Sequence, residues 1–112
     1  MLDYEKLDVY QCSIDFLALS WDLLQSLPRG SSQIADQLKR ASISIPLTIA
    51  EGSGKTTVAD KSRYYAIARG SAMECGALLD VCLVMKLLEK PKYSKGKSLL
   101  VRIVSMLSKM SR

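Results

Sequence analysis

The chain contains no histidine. That absence removes the usual general base, the usual partner of a serine or cysteine nucleophile, and the commonest metal ligand. Carboxylate pairs and Ser-Lys pairs remain as possible chemistry, but no acidic residues stand together at a helical spacing that suggests them. The residues therefore point to a protein that is not an enzyme and takes no small-molecule substrate. Aromatic residues are also scarce, at 6% with a single Trp and a single Phe, so Leu, Ile, Val, Ala and Met have to build the core. No long hydrophobic run exists: residues 77–88 are the most apolar stretch, yet Asp80 and Lys86 interrupt them and they fall short of the roughly 20 residues a membrane helix needs. The opening M-L-D-Y-E-K-L-D is acidic where a signal peptide is basic and then apolar. A cytoplasmic protein without a membrane partner is the expectation. The three cysteines, Cys12, Cys75 and Cys82, form an odd count at no metal-like spacing, and each lies in an apolar helical pattern where cysteine acts as a small hydrophobe. No cofactor is implied.

What is present suits one domain. A chain of 112 residues with 48% hydrophobic and 24% charged residues has room for a single core and is too apolar for disorder. Leu7, Tyr10, Ile14, Leu17, Trp21 and Leu24 alternate spacings of three and four, the seam of a bundle helix over residues 6–27 that Pro28 and Gly30 end. Val9, Phe16, Leu23 and Leu27 widen that stripe. Ser31 or Ser32 caps a second helix through Leu38, Ala41, Ile45 and Ile49 to Ala50, with Pro46 as a kink and Gly52 and Gly54 as its C-terminal punctuation. A third helix over residues 58–88, capped by Thr56 or Thr57, has the seam Tyr64, Ile67, Ser71, Glu74, Leu78, Val81, Met85 and Leu88 before K-P-K stops it. A fourth opens at residues 94–97 and packs Leu100, Ile103, Leu107 and Met110 inward. Short connections make an all-α, antiparallel up-down-up-down four-helix bundle.

Charge is unevenly spread. Residues 1–54 hold four basic and seven acidic residues, and residues 55–112 hold twelve basic and four acidic. Lysines near helix C-termini would merely offset the macrodipole; the alternative is a nucleic-acid surface in which Lys86, Lys90, Lys92, Lys95, Lys97, Arg102 and Lys109 neutralise phosphates, with Tyr64 or Tyr93 to stack. Arg40, Glu51, Arg69 and Glu74 form a second candidate cluster on the facing second and third helices. They read either as a partly buried ion-pair network that fixes register, with Glu74 paired because it falls on the seam, or as a recognition site beside Gly70. The segment G-S-G-K-T-T looks like the tail of a phosphate-binding loop, but Ile49 stands where that pattern needs glycine and a helix precedes it.

The run S-I-P-L-T-I-A-E-G, followed by A-R-G-S-A-M-E, resembles the bacterial four-helix-bundle proteins encoded by intervening sequences of 23S rRNA genes, often called S23-like. Ser44, Ile45, Pro46, Ile49, Ala50, Glu51 and Gly52 match the first motif, with Thr48 in place of the usual asparagine. Ala68, Arg69, Gly70, Ser71, Ala72 and Glu74 match the second. The resemblance implies an antiparallel bundle that assembles into a homopentameric ring. It also implies RNA binding, inferred in that family from gene location and from similarity to accessory proteins of diversity-generating retroelements. Two functions from different classes follow: an oligomeric RNA- or nucleic-acid-binding bundle, or a structural scaffold whose partner is another protein. The apolar width left beyond the seams, in Val9, Phe16, Leu23, Tyr65, Leu79 and Cys82, predicts a second, self-associating surface.

Overall fold

The computed structural model describes all of Met1–Arg112 as a rod of 44 × 25 × 22 Å. A 3-10 turn at Asp3–Lys6 leads into α1 (Asp8–Ser26), α2 (Ser32–Ser53), α3 (Val58–Val84) and α4 (Lys90–Met110). Each helix packs on its neighbours in sequence and α4 closes back on α1, so the bundle is antiparallel, all-α and up-down-up-down. Phe16, Leu23, Leu38, Ile45, Ile49, Leu79, Ile103 and Leu107 are fully enclosed along its axis.

The boundaries follow local chemistry. Gly30, at a φ of 94°, turns the chain between α1 and α2. Thr57 caps α3 by accepting the Asp60 N–H at 3.1 Å. Pro46 is buried inside α2, which runs unbroken past it. The Thr48 hydroxyl donates to the Ser44 carbonyl at 2.7 Å within the same turn.

Several expectations fail for identifiable reasons. Gly52 does not punctuate α2 but lies within it, buried; a Cβ there would stand 2.8 Å from Tyr65 Cε1 and 3.0 Å from Tyr64 Cβ. Its absent side chain lets α2 and α3 close together, and Gly54 takes the C-cap. α3 stops at Val84 rather than residue 88. Lys86 enters the left-handed region at a φ of 60°, and the Lys86 and Leu87 amides donate to the Leu83 and Cys82 carbonyls, the Schellman closure. K-P-K does not separate the helices either. Pro91 sits in the first turn of α4, where its missing N–H would have no helical partner anyway.

The seams of α1 and α3 are each rotated from the sequence reading. Val9, Cys12, Phe16, Leu19 and Leu23 face the core of α1, while Trp21 is 51% exposed. On α3 the core face is Tyr65, Ala68, Ala72, Cys75, Leu79 and Cys82, with Leu78 of the expected seam buried beside them, so its centre lies one position round from that seam, or about 100°. Ile67, Val81 and Met85 are exposed in consequence, and so is Glu74. α3 is apolar on every side, so hydrophobicity could not tell its inner face; its small residues mark where α2 and α4 approach. Val9, Phe16, Leu23, Tyr65, Leu79 and Cys82 thus belong to this chain's own core and leave no surplus face.

Candidate functional site

Charge is sorted by helix. α4 carries Lys90, Lys92, Lys95, Lys97, Arg102 and Lys109 and no carboxylate, while its neighbour α1 carries Asp8, Asp15 and Asp22 and no cation. Only Lys109 lies in the last turn of α4, so dipole compensation accounts for that one residue. Lys90, Lys92, Lys95 and Lys97 crowd the N-terminal end, where the helix already presents partial positive charge. Lys86 adds a cation just before it. Local helix stability does not explain such a placement.

The cations are not equally free. Lys97 Nζ is 2.8 Å from Asp80 Oδ1, and the Tyr93 hydroxyl donates to the same oxygen at 2.7 Å. These bonds, led by that from Lys97, hold the Asp80 carboxyl below the usual range, and the bond to Asp80 raises the Lys97 ammonium. This clamp ties α3 to α4; in the sequence Asp80 showed only as an interruption of an apolar run. Lys92 and Lys95 share an open groove with Asp15 and Asp22 of α1. Lys86, Lys90, Lys92, Lys95, Arg102 and Lys109 make no ion pair within the chain. Tyr93 is not an open stacking platform: Lys90 and Lys97 lie 5.4 and 5.5 Å from its ring centre. Tyr64 is likewise flanked by Lys55 and Arg63 at 4.9 and 5.4 Å.

Arg40, Glu51, Arg69 and Glu74 do not form the expected buried network. All four are exposed, and the chain's ion pairs are Arg63–Asp60 and Lys97–Asp80. Arg40 and Glu51 line one groove on the outside of α2. Arg69 turns to the other side, where its Nε donates to Ser108 Oγ at 2.7 Å. The polar contact that does join α2 and α3 is Ser71 to Ser44, hydroxyl to hydroxyl at 2.9 Å, which gives the serine on the expected seam of α3 its partner. Gly70 is open to solvent, with no atom of the chain within 4 Å of where a Cβ would stand. The three cysteines are free and buried, and burial, aided by the charge of Glu74, pushes the Cys75 thiol up to about 12. No three Cys, Asp or Glu side chains converge to hold a metal ion, and no helix is long and apolar enough to cross a membrane.

Fold and surface together define a charge-segregated, antiparallel four-helix bundle. Residues 5–109 match the 23S rRNA-intervening sequence proteins, and the chain belongs to that family. It also superposes on the crystal structure of a protein of unknown function from the S23 ribosomal protein family of Bacteroides thetaiotaomicron, with a TM-score of 0.85 at 20% identity over 93% of this chain and 98% of that one. At that identity the likeness speaks for the fold. No functionally curated protein matches the chain.

Proposed function

We propose that the protein is a non-enzymatic, oligomeric, cytoplasmic bundle that binds RNA or another nucleic acid through α4. The observation that carries this reading is the placement of lysines at the N-terminal end of a helix whose one neighbouring carboxylate in sequence is that of Glu89 at its N-cap. There, side chains and backbone amides together attract anions. Six cations without ion partners, Lys86, Lys90, Lys92, Lys95, Arg102 and Lys109, give enough contacts for a steep salt response. Binding of a structured RNA, followed by fluorescence anisotropy, should weaken by about a thousandfold or more between roughly 50 and 200 mM salt if all six meet phosphates. No binding at the lower salt sinks the reading.

A scaffolding role has its own support in the outer face of α3. Ile67, Met73, Val81, Val84 and Met85 are 47%, 55%, 42%, 80% and 54% exposed, and Gly70 leaves room for another backbone among them. A row of exposed large apolar side chains along one helix face is ordinarily covered. A head-to-tail contact through this face closes into a ring when its rotation permits; the number five comes from the family resemblance alone. Light scattering that returns the 12.4 kDa of one chain at micromolar concentration removes the ring.

A further inference from the structure

The outer face of α2 lies beside α3, which it meets at the Ser44–Ser71 bond, and its groove is covered by nothing in the chain. Asp36, Lys39, Arg40, Ile43, Leu47 and Glu51 run along its groove, and Leu47 in the middle is 57% exposed. Arg40 and Glu51 stand about 16 Å apart at 1.5 Å per residue, both exposed and neither in an ion pair. Opposite charges at the two ends of a strip that carries Ile43 and Leu47 between them are self-complementary under a two-fold axis. With a second α2 laid antiparallel and the axis between Ile45 and Pro46, Arg40 of each copy faces Glu51 of the other. Leu47 then meets Ser44, and Ile43 meets Thr48. Those two short side chains leave room for the larger ones. Neither hydroxyl need be left without a partner, since Ser44 is bonded to Ser71 and Thr48 donates to the Ser44 carbonyl. A slide of one turn, with the axis between Ile43 and Ser44, would set Asp36 against Glu51 twice, so charge selects the register.

We propose that two copies of this chain pair through α2, antiparallel, with reciprocal Arg40–Glu51 ion pairs on either side of the two-fold axis. One helix face per copy is a small contact, at the low end of specific interfaces, so the pairing is weak and exchanging. It is isologous, joining the same patch on both copies, whereas a ring through α3 joins two different patches. Either can form without the other.

That difference supplies the test. All three native cysteines are buried, so Leu47→Cys adds a single accessible thiol beside the axis. A disulfide between equivalent positions needs their Cα atoms within about 7 Å, which a head-to-tail ring does not provide. On mild oxidation Leu47→Cys should give a covalent two-chain species on a non-reducing gel, well above a Ser98→Cys control on the exposed side of α4. Adding Arg40→Glu sets like charges together and should slow the crosslink about tenfold or more. Adding Glu51→Arg to that variant should restore it. Every substituted side chain is exposed, and circular dichroism melting checks that each variant stays folded. A crosslink that is absent, no faster than the control, unmoved by Arg40→Glu, or not regained on the charge swap overturns the proposal. The assay contains no nucleic acid, so its result stands apart from that of RNA binding.

Discussion

At the scale of single residues, two positions hold side chains that depart from what local geometry favours. Lys86 occupies the left-handed C′ position of a Schellman closure, where glycine pays no steric penalty. Lys86→Gly should therefore raise stability by about 1 kcal/mol, read as a higher urea midpoint at unchanged slope. If the same variant also weakens RNA binding, the lysine is kept for its charge. Gly52 is the opposite case. Its missing Cβ is what lets the ring of Tyr65 approach to within 2.8 Å of the position a Cβ would take, and a buried aromatic ring between two helices has nowhere to retreat. Gly52→Ala should destabilise by about 1 to 3 kcal/mol, although alanine is the better helix former, and a melting temperature raised by the substitution would show that the α2–α3 approach is not close.

At the scale of elements, α3 and α4 are joined by the Asp80 clamp as well as by their core faces. The folded pKa of Asp80 is lowered, so its contribution is complete above the unfolded value of about 3.9 and is lost as pH falls through the folded one. Lys97 is raised, and its share is complete below about 10.4 and disappears as pH rises through its folded value. Between those limits the pair is intact. Its side chains are 34% and 52% exposed, so the whole contribution stays under about 1 kcal/mol. Asp80→Asn should lower the melting temperature by a few degrees at pH 7, and the gap from the wild type should narrow as acid protonates Asp80. A gap that persists in acid would mean that the asparagine disturbs packing rather than removing a charge.

For the whole molecule, the helices are unequally held. α1 buries two serines, Ser13 and Ser20, and α2 buries Ser42. The Ser20 hydroxyl has no hydrogen-bond partner, which is costly for a buried polar group. α3 lies between α2 and α4, closes on both through Ala and Cys, and makes the most extensive packing in the bundle. Backbone amides of α1 should therefore exchange with solvent before those of α3 under native conditions, as hydrogen exchange read by mass spectrometry will show; equal protection of the two helices would mean that the bundle opens only as one unit.

Helix number, order and type were legible in the sequence because periods of three and four, proline, glycine and the Thr57 cap are local signals. On α2 and α4 they also gave the inner face correctly: Leu38, Ala41, Ile45, Ile49, Leu100, Ile103 and Leu107 are buried as their spacing requires, since each of those helices has one apolar side and one polar side. The same signals misplaced the inner faces of α1 and α3. Apolar residues on α3 surround the axis, so the period has no preferred phase, and only the approach of α2 and α4 selects the Ala and Cys side. Everything that depends on that phase was decided by tertiary structure: the exposure of Glu74, the separation of Arg69 from Arg40, and the side on which Ile67 and Val81 meet solvent. The excess of cations could be counted from composition. Which of them Asp80 neutralises, and which α1 faces with its own carboxylates, follows only from the packing of antiparallel neighbours, because those pairs lie far apart in the chain and share no local pattern.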